Sequence, residues 1–331
     1  MALKTCFTRA FDLSSPIVGA PMAGVSGPSL TAAVARSGGL GLLGAARYTE
    51  PQLRKEFEEA QQLAGGKGAI GIGLMAFTNT QLLDTALDVK PHTIWLSFGD
   101  VAPMAARVKA AGVKLMIQVQ SVQQAIDAVS LGADAIVAQG TESGGHGASP
   151  TGTFCFLPEV VDAVAGIAAQ TGAAPVPVLA AGGVTDGRQV AAALALGAAG
   201  VVLGTVLVVT EESLFPDHWK ARYVQSTAHD TERTVLFDVL GPVDWPRGVD
   251  GRALRNRFSD ANPEQLLGKA KERERMQTEM DRGRAEADPE VAPLWPESCS
   301  YGCTILNRAA TFYILWLTYV AADLQISSRF G

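Results

Sequence analysis

What most limits the folds open to this chain is a rhythm of short apolar runs. They recur at Ile17–Met22, Gly39–Ala45, Ala69–Met75, Thr93–Gly99, Lys114–Gln120, Asp134–Gly140, Val176–Gly183 and Gly200–Thr205, punctuated by Gly and polar turns. The runs are continuous rather than alternating, as parallel strands covered on both faces should be. Between them lie Ala-rich, helix-periodic stretches such as "SLTAAVARSG", "APMAARVKAAG", "SVQQAIDAVSLGA" and "DGRQVAAALALGA". Strand and helix in strict alternation predict an α/β protein. Eight such units without a long break favour a closed (β/α)8 TIM barrel over an open doubly wound sheet.

After Thr205 the rhythm stops. The expected division is a cofactor-binding barrel core at 1–210, an appended α-rich lobe at 211–295 and an atypical apolar tail at 296–331. Within the lobe, Pro263–Glu290 reads as a charged helix with a solvated face. The net charge of −6, with no basic stripe, argues against a nucleic-acid protein. The apolar segment Ala309–Ala322 falls short of the roughly 20 residues that span a bilayer, and the first residues lack the pattern of a signal peptide. Four scattered cysteines (Cys6, Cys155, Cys299, Cys303) suggest a reducing, cytoplasmic setting. Cys299 and Cys303 have no neighbouring histidine, so no metal site is expected.

In a barrel the chemistry gathers at the carboxyl ends of the strands. The runs put Ala20, Pro21 and Met22 there, together with Gln118, Gln139, Gly140, Gly182, Gly183, Val202, Leu203, Gly204 and Thr205. The stretches "AAGGVTDG" and "VVLGT" follow the last two expected strands. Gly182, Gly183 and Gly204 let backbone N–H groups approach a phosphate, Thr205 adds a hydroxyl, and a following helix N-terminus would favour the anion. No Walker-type lysine or Gly-x-Gly-x-x-Gly turn accompanies them. Flavin mononucleotide (FMN) is the fitting ligand, with Met22 packed on its ring and Gln118 and Gln139 at its polar edge. The stretch "AQGTESGGHGASPTGTF" (Ala138–Phe154) sets His146 among five glycines. Gly144 and Gly145 allow a sharp turn against a cofactor, and His146 is then placed to accept a substrate proton or hold an anionic substrate. His92, His218 and His229 have no such surroundings and read as structural or exposed.

These motifs, "PIVGAPMAGVSGPSLTAAVARSGGLGLLG", "AIVAQGTESGGHGA" and "PVLAAGGVTDGRQVAAALALGAAGVVLGT" followed by "VTEES", resemble the nitronate monooxygenase family, formerly the 2-nitropropane dioxygenases. The similarity runs from about Pro16 to Phe258. It implies an FMN-containing TIM barrel with an added lobe, oxidising alkyl nitronates such as propionate 3-nitronate with O2 to a carbonyl compound and nitrite. His146 matches the family's catalytic histidine. Gln139, Gly144, Gly182 or Gly183, and the Val202–Thr205 turn match its flavin contacts, and Gly140 and Gly145 beside them are further cofactor-binding candidates. The partners implied are a small nitronate or nitroalkane and O2, with no nucleic acid and no membrane span, and with room for a homodimer. Three departures stand out. Ser143 replaces a common Ala, Gly73 replaces an Asn that contacts the flavin in many members, and the tail after about Trp295 does not resemble the family's ending. The tail is expected to come from an altered reading, such as a retained intron or a frameshift. Two other readings suit the same scaffold: an NAD(P)H:quinone or enoyl-thioester reductase, and a catalytically idle flavin- or phosphate-binding barrel.

Overall fold

The computed structural model describes residues 3–296 apart from 67, 79 and 287. Eight parallel strands close into a barrel: β1 (Ile17–Gly19), β2 (Leu40–Gly44), β3 (Ala69–Met75), β4 (Thr93–Ser97), β5 (Lys114–Val119), β6 (Ala135–Gln139), then β8 (Val178–Ala181) and β9 (Gly200–Leu203), which returns to β1. Each lies within one of the eight apolar runs. The missing number belongs to a short strand, β7 (Gly145–Gly147), outside the barrel.

Every strand is buried on both faces because each face meets a different core. Val18, Leu42, Trp95, Met116, Val137, Leu179 and Val202 share the barrel interior. Their neighbours Ile17, Leu43, Ile94, Ile117, Ile136, Ala180 and Val201 pack outward beneath the helices. The side-chain period of two thus sorts one continuous apolar run into two cores. At the amino ends of the strands the helix Cys6–Ala10 plugs the barrel with Phe7 and Phe11, both essentially buried. A capping box between Thr5 and Thr8 starts that helix, and the Thr5 hydroxyl also donates to Ala199 O at 2.6 Å.

The segment beyond the barrel is less purely helical than its sequence suggests. It adds β10 (Thr231–Thr234) and β11 (Asp250–Leu254), which join β7 in an antiparallel sheet of order β10–β11–β7. The charged helix forms at Ala270–Glu286 and is anchored by Met276, Met280 and Gly283. With Leu236, Phe237, Leu240 and Phe258 these methionines make a separate small core. Among the described residues one helix, Thr153–Thr171, is long and apolar enough by composition to cross a bilayer; here it buries Phe156, Leu157, Val160 and Val164 within the protein. The expectations for the Cys299–Cys303 pair, for Ala309–Ala322 and for the tail beyond Pro296 lie outside the described residues.

Candidate functional site

The glycine-rich stretch becomes β7 because the lobe offers it an edge. In the β7–β11 pairing His146 stands opposite Gly251, Gly147 opposite Asp250 and Gly145 opposite Arg252. Gly145 sits at φ +67°, a left-handed conformation that suits glycine. Two arginines of the lobe hold the loop. Arg233 donates to Thr141 O at 3.2 Å and to Gly147 O at 3.0 Å, and Arg252 donates to Thr141 O at 3.1 Å. Arg233 is itself oriented by Asp250, whose carboxylate takes its Nε–H at 2.8 Å. On the loop's far side, the Glu142 carboxylate accepts from the Thr153 N–H at 2.8 Å, at the first turn of the helix that follows.

His146 lies among side chains from three directions. Its Nε2 is 2.7 Å from Asp238 Oδ1, with only 13% of the histidine and 14% of the aspartate side chain exposed. Trp245 stacks on the imidazole at 3.5 Å between centroids and 9° between planes, and Trp295 meets it at 4.8 Å and 42°. Gly251 makes room for Trp295, since a Cβ there would come within 2.2 Å of the indole. Trp245 also touches Phe77, just past β3, and Phe98, just past β4, at 5.1 and 5.2 Å. Phe98 holds φ +52°, an uncommon conformation for an aromatic residue. The lobe therefore closes on the barrel mouth through an aromatic cluster centred on His146.

Beneath it the glutamines form one network. Gln139 Oε1 accepts from Gln118 Nε2 at 2.8 Å and from Gln120 Nε2 at 3.0 Å, while Gln139 Nε2 donates to His146 O at 3.1 Å. Gln120 was not among the residues expected here. Its position two residues beyond Gln118, on the same face of an extended segment, was the available signal. Asp238, Trp245, Arg233 and Arg252 were also not anticipated, and no spacing in the sequence links any of them to His146.

The residues after β8 and β9 suit a phosphate. Gly182 and Gly183 have φ of +101° and +74°. A Cβ on Gly182 would lie 2.4 Å from Ser143 Oγ. That hydroxyl is buried and has no hydrogen-bond partner among the described residues. A buried donor so placed is what an anion at this point would satisfy. Gly204 caps the next turn without a side-chain bond, and Thr205 is 3% exposed. The helix termini offer less than expected. The helix after β8 begins at Gly187 and is already capped by the Asp186 carboxylate, and the one after β9 is a single turn, Thr205–Val208. An anion held here would rest on backbone N–H groups and Ser143 rather than on a long helix dipole.

The remaining expected positions are spread around the mouth. Ala20 packs on the barrel-interior cluster, and Val202 belongs to it. Met22 and the Leu203 side chain pack on the layer between strands and helices. Gly140 abuts Thr153, whose Oγ1 would be 2.2 Å from a Cβ at that glycine. Gly144 lies in the loop between the orphaned Ser143 and β7. Gly73 is pressed against Pro21, with 2.2 Å between a Cβ built there and Pro21 Cβ. An asparagine at position 73 has no room in this backbone.

The sequence profile of the nitronate monooxygenase family matches residues 4–78 and 67–301 of the chain. A (3aS,4S,5R,7aS)-5-hydroxy-7a-methyl-1-oxo-octahydro-1H-indene-4-carboxyl-CoA dehydrogenase of Rhodococcus jostii is 35% identical over 69% of this chain and 62% of its own length. The chain thus spans under two thirds of that relative. A probable nitronate monooxygenase of Staphylococcus aureus is 30% identical over 77% of this chain and 79% of its own. The solved structure of FabK from Thermotoga maritima superposes with a TM-score of 0.84 at 27% identity, covering 99% of this chain and 100% of that one.

Proposed function

Because the chain belongs to the nitronate monooxygenase family, and is by that membership an oxidoreductase, we propose that it binds FMN at the barrel mouth and oxidises alkyl nitronates of the propionate 3-nitronate type. The products are a carbonyl compound and nitrite, with O2 as the electron acceptor. The observation that carries this reading is the coincidence of two features at one end of the barrel. One is the grouping of Gly182–Gly183, Gly204–Thr205 and Ser143, where the Ser143 hydroxyl has no partner among the described residues. The other is His146, anchored on Asp238 directly above the glutamine network.

Ser143 and the N–H groups at Gly182, Gly183, Gly204 and Thr205 would hold the phosphate. Gln118 and Gln139, whose amides are joined by one hydrogen bond from Gln118 to Gln139, would face the polar edge of the ring. The Asn found in many members is absent, so a contact it would make falls to other groups or is lost. When bound, FMN supplies the electron-accepting centre that takes electrons from the nitronate and delivers them to O2. The chain's own part is to exclude water with Phe77, Phe98, Trp245 and Trp295, and to present one imidazole nitrogen to the substrate. With an anionic nitronate that nitrogen, as N–H, binds the nitro oxygens. With a neutral nitroalkane it takes the α-proton.

A second reading is a reductase or dehydrogenase acting on thioesters, favoured by the 35% identity to the Rhodococcus CoA-thioester dehydrogenase. One visible spectrum of the purified protein, before and after anaerobic propionate 3-nitronate, tests both. Flavin bands that bleach, with nitrite released on readmitting air, are expected. Bands that ignore the nitronate but bleach with NADH or NADPH would transfer the assignment to the second reading. No flavin, even after FMN is supplied, would overturn both.

A further inference from the structure

We infer that Asp238 is a positioning residue for His146, fixing the imidazole with hydrogen on Nε2 and so making Nδ1 the nitrogen that meets the substrate. The inference deepens the function proposed above and rests on His146 being the working group of that site.

A carboxylate can only accept hydrogen bonds, so the ring nitrogen 2.7 Å from Asp238 Oδ1 must be the one that carries hydrogen. That distance is in the range of charge-assisted bonds. Nδ1 takes no hydrogen bond from the described residues, which leaves it as the lone pair of a neutral ring or the second N–H of a charged one. Turning the ring over would place a carbon rather than Nε2 against the carboxylate. The parallel indole of Trp245 at 3.5 Å leaves the imidazole no other plane.

Asp238 is not needed to anchor its own helix. It comes from the short lobe helix Leu236–Val239, whose buried residues, Leu236 and Phe237, already anchor it in the small core. Its Oδ2 is buried without a partner, and the side-chain bond to His146 is the one it makes among the described residues. A half-satisfied buried carboxylate is a poor way to stabilise a fold and a good way to orient an imidazole. The same carboxylate ties a barrel loop to a lobe helix 92 residues further along the chain. It therefore makes the working orientation of His146 depend on the docked lobe.

The test is ring nitrogen NMR on histidine-labelled protein, with kinetics on Asp238→Ala and Asp238→Asn. The chain has four histidines, so the His146 signals are assigned by their loss in His146→Gln. The expected wild-type spectrum shows hydrogen on Nε2, with a downfield N–H proton protected from exchange, and none on Nδ1 in the neutral ring. In Asp238→Ala that proton signal vanishes, and turnover falls by about 10²-fold or more, in kcat rather than KM. Asp238→Asn, which keeps an acceptor oxygen, restores part of both. A neutral ring with hydrogen on Nδ1 and none on Nε2 in the wild type would overturn the inference. So would an Asp238→Ala protein that melts earlier but turns over unchanged, since that marks a merely structural residue. The NMR arm needs no substrate, so a protein that ignores nitronates yet keeps the Nε2–H signal would fail the proposed function and leave the role of Asp238 standing.

Discussion

The two ends of the barrel each hold a half-buried histidine, and the two are bonded differently. At the amino end, His92 has both ring nitrogens engaged: Nδ1 with Thr93 Oγ1 at 2.7 Å and Nε2 with Phe11 O at 2.9 Å. It ties β4 to the plug helix, and its ring lies 5.9 Å from that of Phe11. At the carboxyl end, His146 commits one nitrogen to a carboxylate and stacks its face on an indole. Partners that use up the ring make a strut. Partners that fix the ring and leave one nitrogen make a tool. Burial alone does not separate the two cases; the hydrogen-bond ledger of each ring does.

The sharpest way to break this contrast is to remove each ring. His146→Gln should lower kcat/KM by about 10² to 10⁴, the usual worth of a positioned acid–base group, while leaving urea stability near that of the wild type. His92→Leu should do the opposite. It strands Phe11 O and Thr93 Oγ1, costing about 1–3 kcal/mol in urea titrations with turnover of the folded protein intact. Activity lost in both, or stability lost in both, would erase the distinction.

Glycines at the two ends extend the test. Gly182, at φ +101° beside Ser143, and Gly200, whose Cβ would meet Pro16 O at 2.6 Å, are both intolerant of a side chain. Alanine at either should destabilise by about 1–3 kcal/mol. Only Gly182→Ala should also weaken FMN binding, measured by fluorescence titration. Equal FMN affinity in the two variants would remove Gly182 from the proposed cradle. A smaller effect is expected where the lobe grips the His146 loop. Arg233→Met deletes the bonds to Thr141 O and Gly147 O and should cost about tenfold in kcat/KM, because a loop displaced by a fraction of an ångström misplaces the imidazole. Unchanged kinetics would assign that grip to Arg252 alone.

Which parts of this were legible in the sequence follows the distance over which each is determined. β1 to β6, β8 and β9 could be read because a strand buried on both faces writes itself as a local apolar run. Gly182, Gly183 and His146 could be read because glycine spacing around a strand end is also local. Asp238 could not. It sits in "LFDVLG", an unremarkable turn, and its meaning arises only when the lobe folds back across the mouth. Trp245, in "VDWPRG", is hidden for the same reason. The three-stranded sheet was missed because β7 is Gly-His-Gly, which has no strand propensity of its own and pairs only where β11 supplies an edge and Arg233 and Arg252 hold the carbonyls. The departure at position 73 was visible, but its cause was not. Pro21 fills the space that a side chain there would need, so the substitution is built into the packing of the β1 turn against β3.

The smallest effect is the most specific to His92. Burial holds its imidazole below the ordinary value, because the charged ring would lack the water that solvates it in the unfolded chain, and the charge of Lys114 works in the same direction. The Phe11 carbonyl and Asp12 oppose this without reversing it. The folded chain then binds fewer protons at this site than the unfolded chain does. Its contribution to stability is fully present above the ordinary histidine value of about 6.5 and is lost as the pH falls from there toward the folded value. Carboxylates elsewhere titrate lower and blur the absolute curve, so the informative quantity is a difference. Urea stability measured from roughly pH 7 to pH 5 should fall more steeply for the wild type than for His92→Gln, which keeps a polar side chain but cannot take up the proton. Parallel curves would mean that the strut at the barrel's amino end accepts a proton as readily as a ring in water, and that its two hydrogen bonds do not hold it neutral.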